Sequence, residues 1–270
     1  MVRTLWTAAS GMTAQQTAVD TIANNLANVN TTGYKNETAE FKSLLYQTIQ
    51  TRTTSKNGEN KPIGAQVGLG VRNSSITSHF TQGTLKETGT NSDFAIDGKG
   101  FFAVKAEDGN TYYTRSGAFQ FAIGTNGIVL ATSEGYPVLD STGNQITFPT
   151  TYNAANITVN SSGQLFYTNP NGTTTALNRT IGVYQFNNPS GLLKQSDSLY
   201  AVSAASGAAI NEANNANITK SKVIQGYIEA SNVQVADEMV NLIVAQRAYE
   251  MNSKAIQAAD DMMQQANNLR

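Results

Sequence analysis

The residues able to do chemistry are few, and their spacing does not assemble a reactive centre. The one histidine, His79, sits in Thr77-Ser78-His79-Phe80 without an acidic neighbour. A nucleophilic triad needs a base and the carboxylate that orients it, and nothing here supplies both. No His-Glu-x-x-His pair is present to hold a hydrolytic zinc. The chain contains no cysteine, which removes thiol catalysis, cysteine zinc sites, iron–sulfur ligation and disulfide staples. Gly98-Lys99-Gly100 falls short of both phosphate-binding glycine patterns, and no helix follows to present its N-terminus. It reads as a turn. Glu107 with Asp108 and Asp260 with Asp261 are candidate carboxylate pairs, but a glycosidase needs two carboxyls opposed across a cleft. The Asp-Gly turns lack the alternating acidic ligands of a calcium loop. The catalytic, cofactor and metal sets are therefore expected to be empty, and the chain reads as a non-enzyme.

The composition narrows the partners. At 270 residues the chain can hold one or two cored domains. Its net charge is −1 and only 14% of residues are charged, so no basic patch invites nucleic acid or an anionic membrane surface. No apolar run approaches the ~18 residues of a membrane span, so no membrane insertion is expected. Met1-Val2-Arg3 followed by Leu5-Trp6 faintly resembles a secretion signal. Thr4, Thr7, Gln15, Gln16 and Asp20 interrupt the apolar region such a signal requires, and export without a cleaved signal peptide is the expectation.

The elements that must position anything lie at the two ends. Leu5, Met12, Val19 and Leu26 recur seven apart, with Ala8, Ile22 and Val29 beside them. At the C-terminus Val235, Leu242, Tyr249, Ile256 and Met263 repeat the pattern, with Ala245, Ala259 and Ala266 beside them. A seven-residue apolar repeat puts one narrow stripe against a partner helix, the geometry of a coiled coil. These stripes are the expected assembly interface. Each is marginal alone, so the terminal segments are expected to be largely disordered in a free subunit and to fold on assembly. The first helix should run from about Thr4 to Asn28, with Gly33 as its stop. Asn24 and Asn28 share a face; with Asn25 they either make amide contacts to a neighbouring helix or mark an Asn-rich frayed end. The second helix should open at Ser231, with Gln234 completing a capping box and Asp237 and Glu238 near its positive pole.

Between the helices, residues 34–46 could be extended or partly helical. Residues 48–70 form a long Thr-, Gly- and Asn-rich stretch containing Pro62, of the kind that is functional or disordered. The middle reads as short strands at Phe94–Ile96, Phe101–Val104, Tyr112–Thr114, Phe119–Phe121, Ile128–Ala131, Ile157–Val159, Leu165–Tyr167 and Ile181–Phe186. Asp97-Gly98 and Asp108-Gly109 read as hairpin turns with both central residues at positive φ. An antiparallel sandwich or irregular barrel is expected. The domain plan is a first helix (1–33), a connecting segment (34–70), a central β-rich domain (71–202), a linker (203–226) and a second helix (227–270). The fold class is α+β multidomain, with paired terminal α-helices as a coiled-coil inner domain and an antiparallel β-rich central domain.

Several segments carry a resemblance. Ala23-Asn24-Asn25-Leu26-Ala27-Asn28-Val29-Asn30-Thr31-Thr32-Gly33-Tyr34-Lys35 closely resembles the N-terminal signature of bacterial flagellar rod and hook proteins. Gln225–Val233, Glu238-Met239-Val240 and Ala245–Glu250 are similar to that family's C-terminal half. Asp97–Phe102 and Tyr113–Phe119 resemble its central motifs. The segment Leu44–Ile49, the stretch after it and Gln66–Val71 resemble what sets distal-rod members apart from hook members. One departure is Thr51-Arg52-Thr53, where such proteins often carry a Pro-Gly pair.

The resemblance implies a structural subunit of the flagellar basal body. Copies would self-assemble helically into a rigid hollow shaft across the periplasm, transmitting torque to the hook and enclosing the export channel. Its implied partners are further copies of itself, proximal rod proteins, the hook protein, ring (bushing) proteins and the flagellar export apparatus. The implied rigidity-setting segment includes Tyr46, Gln47, Ile49, Pro62, Val67 and Leu69, wedged between subunits.

Overall fold

The computed structural model describes residues 2–50, 65–124, 127–169, 171–215 and 217–268. The chain divides into two units, one made of 1–27, 37–78 and 234–270 and the other of 28–36 and 79–233.

In the first unit, helix α1 spans Val2–Ala27 and helix α2 spans Val235–Asn268. α1 is rich in threonine, a modest helix former. Its hydroxyls are absorbed by the helix itself: Thr7, Thr13, Thr17 and Thr21 each donate to the carbonyl four residues back, at 2.8–3.1 Å. Segment 34–46, left open by its pattern, contains the strand Glu37–Ser43, which pairs antiparallel with Val71–Ser78 around a bulge at Glu40/Phe41. The hydroxyl-rich side of α1 anchors that second strand. Val71 N donates to Ser10 Oγ at 3.3 Å, and Asn73 Nδ2 donates to Thr17 Oγ1 at 2.6 Å. Residues 71–78 therefore belong with the helices and not, as the sequence suggested, with the β-rich domain.

α2 begins at Val235, four residues after the expected start. Ser231 does not cap it; its Oγ accepts from Val233 N in a local turn. Asn232 is already committed elsewhere, accepting from Asn36 N at 2.7 Å and donating to His79 O at 2.9 Å. A backbone pinned in this way cannot enter a helix. α1 ends at Ala27, one residue before expectation, and Gly33 takes the left-handed conformation (φ 69°) in the turns that follow.

The second unit is antiparallel β. Its largest sheet orders six strands as Leu193–Lys194, Leu199–Ala201, Thr111–Thr114, Phe101–Lys105, Val183–Gln185 and Ile210–Asn211. Two three-stranded sheets accompany it, Thr147–Phe148 with Gly127–Ala131 and Gln120–Gly124, and Ile157–Val159 with Gln164–Thr168 and Thr174–Thr180. Phe101, Phe102, Ala103 and Val104 are all buried because both faces of their strand are covered. Phe102 and Val104 enter a core with Phe94, Ile96, Phe119, Leu130 and Phe148. Phe101 enters another with Tyr113, Phe186 and Tyr200, where Tyr113 and Phe186 meet edge to face at 4.9 Å.

Two turn expectations fare differently. Asp108-Gly109 does join a hairpin, Phe101–Lys105 to Thr111–Thr114, but only Gly109 has positive φ (79°). Asp97-Gly98 is not a hairpin turn. Phe94–Asp97 pairs with Lys222–Gln225 instead, drawn there by Ile96 and Val223, which share the core. The supposed linker 203–226 is likewise part of this unit: Ser206 and Glu212 are buried, and Ile210–Asn211 edges the main sheet.

Candidate functional site

Leu5, Met12, Val19 and Leu26 on α1 are half-buried, as are Leu242, Ile256 and Met263 on α2; Val235 and Tyr249 are exposed. The buried apolar positions are the small ones, Ala8 and Ala14 on α1 and Ala245 and Ala259 on α2. Where the helices meet, a Cβ on Gly11 would stand 2.8 Å from Asn252 Nδ2. Small residues allow that close approach. The larger stripe residues are left flanking it, and Val19 and Tyr249 line an open groove of about 380 Å³. α2 also presents Met239, Val240, Ile243, Val244, Met251 and Met262, each more than half exposed. The heptad pattern does not mark this second apolar face, although the i, i+4 spacing of Met239–Ile243 and Val240–Val244 carries it.

Of the three asparagines, Asn25 is fully buried and pairs with a strand rather than a helix. Its Nδ2 donates to Glu37 O at 2.8 Å and its Oδ1 accepts from Glu37 N at 2.9 Å. Asn28 Oδ1 accepts from Thr31 Oγ1 at 3.0 Å, and Asn24 is exposed on α1. Of the rigidity-setting residues, Tyr46, Gln47 and Ile49 lie on the strand Tyr46–Gln50, and Val67 on its partner Ala65–Gly68. Leu45, Tyr46, Ile49, Val67 and Leu69 are all exposed. Pro62 lies outside the described residues.

The second unit holds a buried charge cluster that sequence reasoning missed. Lys35 Nζ lies 2.6 Å from Glu229 Oε1 and donates to Thr81 O at 2.7 Å. Arg115 Nε lies 3.0 Å from Glu229 Oε2, an ion pair without hydrogen-bond alignment. The Arg115 Nη1 instead donates to Gly98 O and Gly100 O, with the guanidinium 5.7 Å from the Phe101 ring centroid. Gly83 N also donates to Glu229 Oε1, at 2.8 Å. All three side chains are at most 3% exposed. Burial holds the Lys35 ammonium below its ordinary pKa, and the Arg115 charge lowers it further, while Glu229 works in the opposite direction.

Each member comes from a different sequence motif: Lys35 closes the N-terminal signature, Arg115 sits in Tyr113–Phe119, and Glu229 sits in Gln225–Val233. Gly33 N donates to Glu229 O at 2.8 Å, so the chain after α1 and the chain before α2 are cross-bonded within this unit. The signal available in the sequence was one isolated charge inside each otherwise mostly uncharged motif. Such a cluster fixes geometry; it presents no reactive atom to solvent. Among the described residues no group of three or more His, Asp or Glu is placed to hold a metal ion, and no helix is long and apolar enough to cross a membrane.

Three family profiles match the chain: the flagella basal body rod protein over residues 5–35, the flagellar hook protein FlgE/F/G D1 domain over 95–167, and the flagellar basal body rod FlgEFG protein C-terminal region over 224–269. Among similar proteins, the flagellar basal-body rod protein FlgG of Borreliella burgdorferi is 44% identical, covering 100% of this chain and 99% of its own. That of Agrobacterium fabrum is 42% identical over 97% of both chains, and that of Buchnera aphidicola (subsp. Acyrthosiphon pisum) 40% identical over 100% of both. The chain belongs to the flagellar basal-body rod protein family, as a structural rod subunit of the flagellum.

Proposed function

We propose that copies of this chain self-assemble helically into the distal rod, a rigid hollow drive shaft that carries motor torque to the hook and encloses the export channel. The observation that carries the reading is the apolar surface of the helical unit. Met239, Val240, Ile243, Val244, Met251 and Met262 stay in water on a lone subunit. A row of this kind on one helix marks a surface to be covered. In this reading α1 and α2 pair as a coiled-coil inner layer, the stripe residues Leu5 to Leu26 and Val235 to Met263 complete their burial against neighbouring copies, and Asn24 contributes polar contacts there. The segment 46–70, whose paired strands Tyr46–Gln50 and Ala65–Gly68 expose Tyr46, Ile49 and Val67, wedges between subunits and stiffens the shaft. Residues 1–27 and 234–270 serve as the core-forming ends, with 37–78 beside them, and the β-rich unit as the outer layer. The remaining partners are proximal rod proteins, the hook protein, ring proteins and the export apparatus, with passage to the periplasm by that route and no cleaved signal peptide.

Electron microscopy of basal bodies from cells lacking this chain tests the reading. Rods that stop short, without a hook, are expected. Complete rods lacking only the hook would reassign the chain to the hook.

A further inference from the structure

The β-rich unit contains a cleft of about 470 Å³, within the ~300–1,000 Å³ range of sites that hold ligands. Its lining includes the buried apolar side chains Ile181, Val183 and Val223. Glu212 also lines it, but its carboxylate is already used. Oε2 accepts from Ser221 N at 2.6 Å, and Oε1 accepts from Ser221 Oγ and Gln185 Nε2, both at 2.8 Å. The open charges at the rim are Lys220 and Lys222, both exposed. Asp97 stands opposite Lys222 in the ladder, yet among the described residues no ion pair engages either lysine.

The same unit carries a matching projection. The hairpin joining Phe101–Lys105 to Thr111–Thr114 ends in Glu107 and Asp108, both exposed, with Lys105 behind them at the strand end. Its shape is fixed: Asp108 accepts from Asn110 N at 2.9 Å and from Asn110 Nδ2 and Tyr112 Oη, both at 2.8 Å. Those bonds hold the Asp108 carboxyl below its ordinary pKa, so the tip is anionic at neutral pH. A preorganised tip loses little freedom on docking. Neither Glu107 nor Asp108 lines the cleft of its own chain.

We propose that the cleft rimmed by Lys220 and Lys222 receives the Glu107–Asp108 hairpin tip of a neighbouring copy. The inference rests on the self-assembly reading and deepens it. Projection and socket are different surfaces of one chain, so the contact is heterologous and repeats from copy to copy, as a filament requires. The charge pairing fixes its register.

Charge exchange tests it, in cells whose only copy of the chain is the variant. Lys220→Glu with Lys222→Glu, and separately Glu107→Lys with Asp108→Lys, are each expected to cut the number of complete rods by about tenfold or more, since like charges then face each other. All four changes together are expected to restore that number to within about threefold. Circular dichroism of the purified chains checks folding, and glutamine replacements serve wherever a reversal disturbs it. Reversals that leave rods unaffected, or a fourfold variant that fails to recover while folded, would overturn the pairing and leave self-assembly standing. Rods that build normally without this chain would instead remove the self-assembly reading.

Discussion

Lys35 and Glu229 lie 194 residues apart in sequence and 2.6 Å apart in space, both sealed from solvent. The pair joins the chain leaving α1 to the chain entering α2, and Arg115 lies against the other oxygen of the same carboxylate. Two buried cations thus share one anion, which makes the carboxylate the member the cluster can least spare.

Glu229→Gln should therefore destabilise the β-rich unit by about 3–5 kcal/mol, the usual cost of stranding buried charge. Lys35→Met should cost less, because it leaves one cation with one anion. Urea unfolding followed by the near-ultraviolet circular dichroism of the tyrosines orders the two. Equal losses would contradict the stated charge balance.

At alkaline pH Lys35 and Tyr113 contribute to stability with opposite sign. Lys35 titrates below its ordinary 10.5 in the folded chain, so between that lowered pKa and 10.5 the unfolded state holds more protons and stability rises with pH. Tyr113 is pushed up to about 12 by burial, with a further contribution from Tyr184. The folded state then keeps a proton the unfolded state loses, and stability falls from about pH 10 towards 12. Urea midpoints should show the rise vanish in Lys35→Met and the fall lessen in Tyr113→Phe, with burial of Tyr184, which also raises its pKa, supplying part of what remains.

Two glycines with similar backbone should respond differently to alanine. Gly109 has φ 79° and open space around its missing Cβ, so Gly109→Ala should cost only the left-handed strain, about 1–2 kcal/mol. Gly33 has φ 69°, and a Cβ there would stand 2.5 Å from Ser116 N. Gly33→Ala should cost clearly more, and a thermal melt of each variant would reveal a reversed order.

Ile256→Asp should block rod assembly while leaving the tyrosine signal of the β-rich unit unchanged. Its side chain is half-buried on α2, and in the proposed assembly other copies complete its burial. A variant that still builds normal rods would argue against the stripe as an interface.

The segment 46–70 makes a mechanical prediction. Deleting residues 46–70 should yield curved or flexible rods under electron microscopy. Straight rods from the deletion would separate stiffness from this segment.

What could be read from the sequence was what is local. The two long helices and strands such as Ile157–Val159 follow from periodicity, because the backbone hydrogen-bond partners that define them are near in sequence. The start of α2 was misplaced because Asn232 is recruited by Asn36 and His79, residues far away in the chain. The hairpin expected at Asp97-Gly98 failed for the same reason: Val223 outcompetes the neighbouring strand for Phe94–Asp97. The charge cluster stayed hidden because a lone Lys, Arg or Glu carries no record of its partner.

The joining of Lys35 to Glu229 also bears on how quickly the β-rich unit can form. Contacts between positions so distant in sequence raise contact order, and closing long loops slows folding. The sheet pair Phe94–Asp97 with Lys222–Gln225 adds a second distant closure. A chain emerging from its N-terminus cannot neutralise its buried cations until nearly all of it has arrived. The unit should then close late and cooperatively, so that a prematurely ended subunit cannot complete it.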